Sequence, residues 1–163
     1  MIILFTGTPG TGKTILAKTL AKTIKHKYLD VNKVIDKHDL IETYDKKRHT
    51  NVVDEKKLSK ILENIIKEQK DLIIDSHMSH FIKSKHVDFC IVTKADLKTL
   101  KKRLEKRKYP QSKVRENLDA EIFDICLTEA VENKHNIIII DTTIGKKTEL
   151  IKTIKNAISK NKR

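Results

Sequence analysis

The chain has 163 residues, and its 35 lysines and arginines against 22 aspartates and glutamates give a formal charge of +13 at pH 7. This length favours one domain with a core large enough to need no disulfides or structural metals. The apolar runs are too short for a membrane span and the chain has no basic leader, so we expect a cytoplasmic protein with no membrane partner. Cys90 and Cys126 lie far apart in apolar surroundings, which favours two buried thiols over a disulfide or a metal pair.

Two explanations of the positive charge stay open at this point. Thirty of the basic residues are lysines and only five are arginines. A basic surface suits polyanions such as ATP or RNA. However, the lysines are spread over nearly every predicted helix, and a proteome-wide preference for lysine, for instance in a heat-adapted organism, produces the same pattern.

The first predicted element is an apolar strand at residues 2–5, and a glycine-rich turn leads from it into a helix. Residues 7–14 read Gly-Thr-Pro-Gly-Thr-Gly-Lys-Thr and match the phosphate-loop pattern G-x-x-x-x-G-K-[ST] in full. In such a loop the glycines admit backbone N–H groups to the phosphates, the lysine reaches the β and γ oxygens, and the last hydroxyl ligates Mg²⁺. We therefore expect ATP and Mg²⁺ as cofactors. The predicted nucleotide-binding residues of this loop are Gly10, Gly12, Lys13, Thr14 and Ile15.

Helical and strand-like apolar patterns alternate along the rest of the chain. Further strands are predicted at residues 28–31, 71–75, 87–92 and 137–140. Helices are predicted at about residues 13–24, 58–66, 95–109, 113–132 and 150–158, with a frayed basic tail from residue 155. Five strands rich in Ile, Leu and Val, separated by helices, predict an α/β P-loop NTPase fold with a five-stranded parallel sheet and helices on both faces.

Residues 32–54 interrupt this alternation with many mixed charges and irregular apolar spacing. They include Tyr44, Asp45, Arg48 and His49. The segment is too charged for a core element and too regular in its few apolar residues for a linker. We interpret it as a small helical insertion over a binding cleft.

Parallel sheets of this kind bind ligands at the carboxyl ends of their strands, and two candidate residues lie there. Asp75 ends a predicted strand, as a carboxylate that holds water on the magnesium ion would, although an aspartate can also simply cap the next turn. His77 follows two residues later, where it could orient a nucleophile near the γ-phosphate or be an ordinary polar loop residue. We predict Thr14 and Asp75 for the metal, and Lys13, Asp75 and His77 for catalysis.

Three of the five arginines are concentrated in one short segment. Arg103, Arg107 and Arg115 fall within thirteen residues that also contain a Tyr-Pro pair, which ends a helix and could hinge a mobile lid. The planar guanidinium suits the charge that phosphoryl transfer spreads over oxygens. We predict Arg107 as a catalytic and ATP-binding residue; arginines that merely lie along a solvated helix face are the alternative.

Several of these segments together resemble the adenylate kinase isoenzyme 6 family. They are residues 7–14, 75–77, 103–109, 113–117 and 121–123. The family is a nuclear and archaeal group of small P-loop kinases that is linked to late maturation of the small ribosomal subunit. The resemblance covers roughly residues 1–132, and its most specific part is the Asp-x-His triplet, which ordinary adenylate kinases lack.

The resemblance implies an adenylate kinase-like single domain, with an NMP-binding insertion at about residues 32–54 and a short lid at about residues 107–113. It implies transfer of the γ-phosphoryl group of ATP to AMP or another nucleoside monophosphate, together with intrinsic ATPase activity. It also implies a small-subunit ribosomal protein and pre-rRNA as partners. The alternative is a ribosome-assembly ATPase whose kinase activity is incidental. A shikimate-type kinase fits the fold but has no support in the sequence.

Two positions depart from the family pattern. Lys108 follows the lid arginine, where the family usually has glycine, and this bears on the flexibility of the lid. Residues 82–86 read Ile-Lys-Ser-Lys-His, where the family has an aromatic segment, and this bears on any contact made by those aromatics.

Overall fold

The computed structural model describes residues 1–46 and 50–161, so the predicted insertion residues Arg48 and His49 lie outside the described part of the chain. The described strands are, in chain order, β1 (Ile2–Thr6), β2 (Lys27–Asp30), β3 (Ile41–Asp45), β4 (Thr50–Val53), β5 (Leu72–Asp75), β6 (Phe89–Lys94) and β7 (Ile137–Asp141). Five of them form a parallel sheet in the order β2-β5-β1-β6-β7. The predicted α/β fold and five-stranded parallel sheet are confirmed.

The helices of the described residues connect these strands. They are α1 (Lys13–Ile24), α2 (Val31–Lys37), α3 (Glu55–Glu68), α4 (Leu97–Lys106), α5 (Gln111–Ile122), α6 (Ile125–Glu132) and α7 (Lys147–Asn161). Two short 3-10 helices, Ser79–Phe81 and Ser84–His86, lie between β5 and β6.

Helices cover both faces of the sheet because the central strand β1 is apolar at every one of its first four positions. Ile2 and Leu4 pack on one face with residues of α2 and α3, while Ile3 and Phe5 pack on the other with residues of α1 and α7. Alternate residues of a strand point to opposite faces, so a continuous apolar run is what a strand buried on both sides requires. This arrangement fixes the carboxyl end of β1, and with it the phosphate loop, at the centre of the domain.

The insertion contains more strand than we predicted. Among the described residues of the insertion α2 is the helix, and β3 and β4 form an antiparallel hairpin with a register shift between Ile41 and Thr43. Most hairpin residues are exposed, so they carry little of the apolar alternation that reveals a half-buried strand. The predicted helical insertion therefore contains the helix α2, and the hairpin was not predicted.

The single long helix predicted at residues 113–132 is wrong. Asp124 adopts a left-handed conformation, with φ 52°, and separates α5 from α6. Ile122, which this helix would include, is 54% exposed beside the exposed Phe123. The apolar spacing continues across the break, so the spacing alone does not reveal it.

The C-terminal helix α7 is regular to Asn161, beyond the point at which we predicted fraying. Ile154 and Ile158 are buried against the same sheet face as α1, and this packing holds the basic end of the helix. Within residues 1–46 and 50–161, none of the helices has the length and apolar character needed to cross a membrane.

Candidate functional site

One cleft of about 740 Å³ opens at the carboxyl ends of β1 and β5. It is lined by the phosphate loop, by the loop after β5, by the hairpin strand β4 and by the turn between α4 and α5. The structure brings all the predicted site residues to this cleft. They are Gly10, Gly12, Lys13, Thr14, Ile15, Asp75, His77 and Arg107.

Gly7, Gly10 and Gly12 of the phosphate loop all have positive φ, which glycine adopts more readily than any other residue. At Gly7 a Cβ would also lie 2.3 Å from the carbonyl oxygen of Thr93. Gly12 precedes α1, whose first turn receives no side-chain cap from the described residues. The free N–H groups of a helix start attract anions, so the loop presents donors and a positive dipole end to the cleft.

Lys13 lies at the base of this loop. Its ammonium group is 3.4 Å from the carbonyl oxygen of Thr8. Burial lowers the pKa of Lys13, and the negative charge of Asp75 partly opposes this effect. Bound phosphates would oppose it further, so the site is suited to an anionic ligand.

Asp75 is held through one of its two carboxylate oxygens. The residue is 4% exposed, and its Oδ2 accepts a hydrogen bond from the hydroxyl of Tyr28 at 2.8 Å. Its Oδ1 is buried and has no hydrogen-bond partner among the described residues. Because the exposed hydroxyl of Thr14 shares the cleft, the two residues supply the oxygen donors that Mg²⁺ prefers, and they fit the predicted cation.

His77 is a neutral imidazole at neutral pH. Its side chain is exposed to the open cleft, yet the surrounding walls and the charges of Lys13 and Lys113 lower its pKa to about 4. A neutral ring nitrogen can accept a proton or orient a water molecule. A bound phosphate would oppose the two lysine charges.

A buried network behind His77 was missed by the sequence analysis. His80 is 1% exposed, its Nδ1 lies 2.7 Å from the hydroxyl of Thr6, and its Nε2 lies 2.8 Å from a carboxylate oxygen of Glu129. Burial, with the neighbouring His135 and His77, lowers the pKa of His80 to about 4, so the ring is neutral. A neutral ring satisfies both contacts if Nε2–H donates to Glu129 and Nδ1 accepts from Thr6.

The three clustered arginines have different surroundings. Arg103 donates to the carbonyl and hydroxyl oxygens of Thr142, at 2.7 and 3.0 Å, and approaches the carbonyl oxygen of Gly10 at 3.5 Å. Arg115 pairs with Asp119 on the exposed side of α5. Arg107 ends α4, is exposed and lines the cleft. Of the three, Arg107 alone has the position expected of a residue that reaches a transferring phosphoryl group.

Comparisons with known proteins agree with this geometry. Residues 3–124 match the family described as "AAA domain". A protein of Methanocaldococcus jannaschii named "Putative adenylate kinase" is 36% identical over 162 residues, which cover 99% of this chain and 88% of that protein. The "Adenylate kinase isoenzyme 6 homolog FAP7" of Saccharomyces cerevisiae is 32% identical over 158 residues, which cover 96% of this chain and 80% of that protein. The chain belongs to the adenylate kinase isoenzyme 6 family.

Solved structures confirm the fold of this family member. A shikimate kinase from Acinetobacter baumannii in complex with shikimate superposes with a TM-score of 0.70, covering 99% of this chain and 94% of that one, at 16% identity. At that identity the likeness shows the fold alone. Membership of the adenylate kinase isoenzyme 6 family makes the chain a phosphotransferase with a nucleotide substrate, and a P-loop kinase family implies the use of ATP, typically with a divalent metal.

The two departures from the family pattern have visible structural consequences. Lys108 adopts a left-handed conformation, with φ 57°, at the position where the family usually has glycine. In the segment that replaces the family's aromatics, Ile82 is buried in the core, and Lys83 and His86 lie 3.4 and 3.9 Å from carboxylate oxygens of Glu63 in α3. The segment is therefore attached to α3 by charge and apolar packing.

The two cysteines differ from one another. Cys90 is fully buried in β6, as expected. Cys126 is only partly buried and lines the cleft, although burial still raises the pKa of its thiol. The expectation of a buried thiol is therefore correct for Cys90 and only partly correct for Cys126.

Proposed function

We propose that this protein transfers the γ-phosphoryl group of ATP to AMP, and that it hydrolyses ATP when water takes the place of the acceptor. One observation carries the proposal: Lys13, Asp75, His77 and Arg107 all line one cleft at the start of α1. Phosphoryl transfer needs positioning and charge stabilisation more than covalent chemistry. These residues supply both.

Each residue has a distinct part in the proposed reaction. The loop N–H groups and Lys13 hold the β and γ phosphates, Gly10 and Gly12 give the loop its shape, and the exposed Ile15 at the start of α1 contacts the nucleotide. Thr14 and Asp75 would hold Mg²⁺, which would neutralise developing charge on the phosphate oxygens. Arg107 stabilises the equatorial oxygens of the transferring group.

The lining of the cleft away from the phosphate loop favours a second nucleotide as the acceptor. The hairpin strand β4 (Thr50–Val53) lines it together with Asp30, Asn32 and Glu55 from the neighbouring elements. Tyr109 and Lys113 line it from the α4–α5 side. We assign the NMP-binding role to residues 32–54 and the lid role to residues 107–113, within a single kinase domain, and AMP is the acceptor that the family relationship favours.

A ribosome-assembly ATPase is the second candidate, and the formal charge of +13 favours it. In that function a small-subunit ribosomal protein and pre-rRNA are the partners, and hydrolysis times their release. A basic surface attracts RNA through its phosphates. The cytoplasmic location stays a prediction under both functions.

Formation of ADP under defined conditions separates the two candidates. Wild-type protein is incubated with ATP and Mg²⁺, alone, with each nucleoside monophosphate in turn, or with small-subunit RNA. Lys13→Ala serves as the inactive background, with a loss on the order of 10³-fold. ADP formation that depends on AMP supports the kinase. Stimulation by RNA without any response to monophosphates would instead support the assembly ATPase.

A further inference from the structure

Glu121 is a buried carboxylate that the proposed reaction leaves without a part. It lies near the C-terminal end of α5 and is 7% exposed. Its Oε2 accepts a hydrogen bond from the hydroxyl of Thr8, and its Oε1 accepts one from the backbone N–H of Ala95 at 2.9 Å. A carboxylate is costly to bury without hydrogen bonds, so these two donors determine where Glu121 can lie.

Thr8 contacts two other residues of the phosphate loop through its carbonyl oxygen. Its carbonyl oxygen accepts hydrogen bonds from the backbone N–H and the hydroxyl of Thr11, at 3.2 and 2.8 Å, and lies 3.4 Å from the ammonium group of Lys13. Thr8 is only 2% exposed. Thr8 therefore contacts Glu121 of α5 through its hydroxyl and Lys13 of the phosphate loop through its carbonyl oxygen.

Glu121 also belongs to the helical hairpin that carries Arg107. This helical hairpin consists of α4, the connecting turn and α5, and a small apolar cluster holds its two helices together. The cluster contains Ala95, Leu100, Leu104, Tyr109, Val114 and Leu118. Arg103 of α4 attaches the helical hairpin to the loop carbonyl of Gly10 and to Thr142, and Glu121 of α5 attaches it to Thr8.

We propose that Glu121 is a positioning residue that keeps Thr8 and Lys13 of the phosphate loop aligned with Arg107 of the helical hairpin. The inference rests on the proposed phosphoryl-transfer function. When the contact between Glu121 and Thr8 is lost, the loop binds phosphates less well and Arg107 is no longer aligned with them. A displacement of about 1 Å is enough to reduce a phosphoryl-transfer rate substantially.

Binding of ATP tests the first half of this proposal. Glu121→Met keeps the length of the side chain but removes both carboxylate oxygens, and Thr8→Val removes only the hydroxyl. We expect each to raise the Kd for ATP about tenfold, because a phosphate loop that is held less firmly must be ordered when ATP binds. Because both variants remove the contact between Glu121 and Thr8, the double variant should bind ATP no more weakly than the single variant with the higher Kd. Thr8→Ser, which restores the hydroxyl, should recover most of the lost affinity.

The controls separate this inference from the proposed function. Asp119→Asn removes an acid from the exposed side of the same helix and should leave the Kd unchanged. Titration calorimetry with ATP and Mg²⁺ needs no acceptor, and unfolding in urea identifies any variant that is not folded. A wild-type protein that fails to bind ATP would overturn the proposed function. Wild-type ATP affinity in both Glu121→Met and Thr8→Val would overturn the inference alone.

The alignment of the phosphate loop with Arg107 is tested by a double-mutant cycle on kcat. Rates of ADP formation are measured for wild type, Glu121→Met, Arg107→Ala and the double variant at saturating ATP. If Glu121 aligns Arg107, the double variant should lose about fivefold less than the product of the two single losses. Losses that simply multiply would show that Glu121 acts independently of Arg107 and would overturn this part of the proposal.

Discussion

Tyr28 donates a hydrogen bond from its hydroxyl to Oδ2 of Asp75, at 2.8 Å, across the neighbouring strands β2 and β5. The contact uses one carboxylate oxygen and leaves the other, Oδ1, without a hydrogen-bond partner among residues 1–46 and 50–161. Burial, followed by the hydrogen bond to Asp75, raises the pKa of Tyr28, so the phenol stays a donor at physiological pH. The carboxylate is thereby oriented before any cation binds.

Tyr28→Phe should weaken the response to Mg²⁺ because it removes the group that orients Asp75. Partners of metal-binding carboxylates typically contribute 10- to 100-fold in affinity, so we expect the Mg²⁺ concentration for half-maximal rate to rise about tenfold. The measurement is the rate of ADP formation against Mg²⁺ at fixed ATP. Binding of ATP without metal is the control and should not change. An unaltered Mg²⁺ response would show that the phenol does not orient the carboxylate.

Arg107→Ala should lower kcat far more than it weakens ATP binding, because a lid arginine acts mainly on charge in the transition state. Arg107→Lys should recover little activity, since an ammonium group lacks the planar fork. Steady-state kinetics with ATP binding measured in parallel would check this, with Arg115→Ala as the matched control on the exposed side of α5. A near-normal kcat in Arg107→Lys would contradict the expectation.

His77→Ala should reduce hydrolysis of ATP more than phosphorylation of AMP. A bound monophosphate presents an anionic oxygen that needs no deprotonation, whereas water must be oriented and must lose a proton. The pKa of about 4 leaves the His77 ring neutral, so a ring nitrogen can accept a hydrogen bond from the attacking water and orient it. Single-turnover rates with and without AMP measure the difference, and ATP affinity should stay near normal. Equal losses in both reactions would mean that His77 only maintains the shape of the site.

His80 should make the folded protein less stable as the pH falls. Its pKa is lowered from 6.5 to about 4 in the folded state, so the unfolded state binds this proton at a higher pH. The free energy of unfolding is therefore unaffected by His80 above pH 6.5 and decreases as the pH falls toward 4. The full effect is roughly 3 kcal/mol. The raised pKa of Glu129 acts in the opposite direction, because the folded state then binds that proton more readily. His77 and His135 are the other titratable groups that lower the pKa of His80.

Urea unfolding at pH 7 and pH 5 tests this dependence. His80→Gln removes the titrating ring but keeps a side chain that can form hydrogen bonds, so its unfolding free energy should change less between the two pH values than that of wild type. His38→Gln, at the exposed end of α2, is the matched control. The same pH dependence in His80→Gln and wild type would assign the effect to other groups.

Lys108→Gly should stabilise the protein although it removes a side chain. Lys108 has φ 57°, a conformation that costs a residue with a Cβ about 1–2 kcal/mol, and glycine adopts it freely. After the larger entropy of glycine in the unfolded chain is deducted, we expect a gain of roughly 0.5–1 kcal/mol. Lys106→Gly, inside the last turn of α4, is the matched control and should cost about 1 kcal/mol. Equal effects of the two substitutions in urea unfolding would contradict the assignment of strain to Lys108.

The parts of the site that lie at strand ends could be predicted from the sequence. The phosphate loop follows β1, Asp75 ends β5 and His77 comes two residues later, and the carboxyl ends of parallel strands meet at one edge of the sheet. Tyr28 could not be assigned to Asp75, because their contact depends on β2 lying beside β5, and residue spacing does not give strand order. The contact of His80 with Glu129 likewise depends on where α6 packs, and Thr8 and Glu121 are separated by 113 positions.

The hydroxyl of Thr142 donates to the carbonyl oxygens of Thr11 and Lys94, at 2.7 and 3.0 Å, and it accepts from Arg103. Thr142 lies beyond residues 3–124, the stretch that matches the family. A fragment that ends at residue 124 would therefore lack the side chain that contacts Thr11 of the phosphate loop and Arg103. The shortened polypeptide would also lack β7 and would present β6 as an unpaired apolar edge, which is a template for aggregation. A fragment of this enzyme that is to fold by itself must therefore include β7 and Thr142 as well as the phosphate loop.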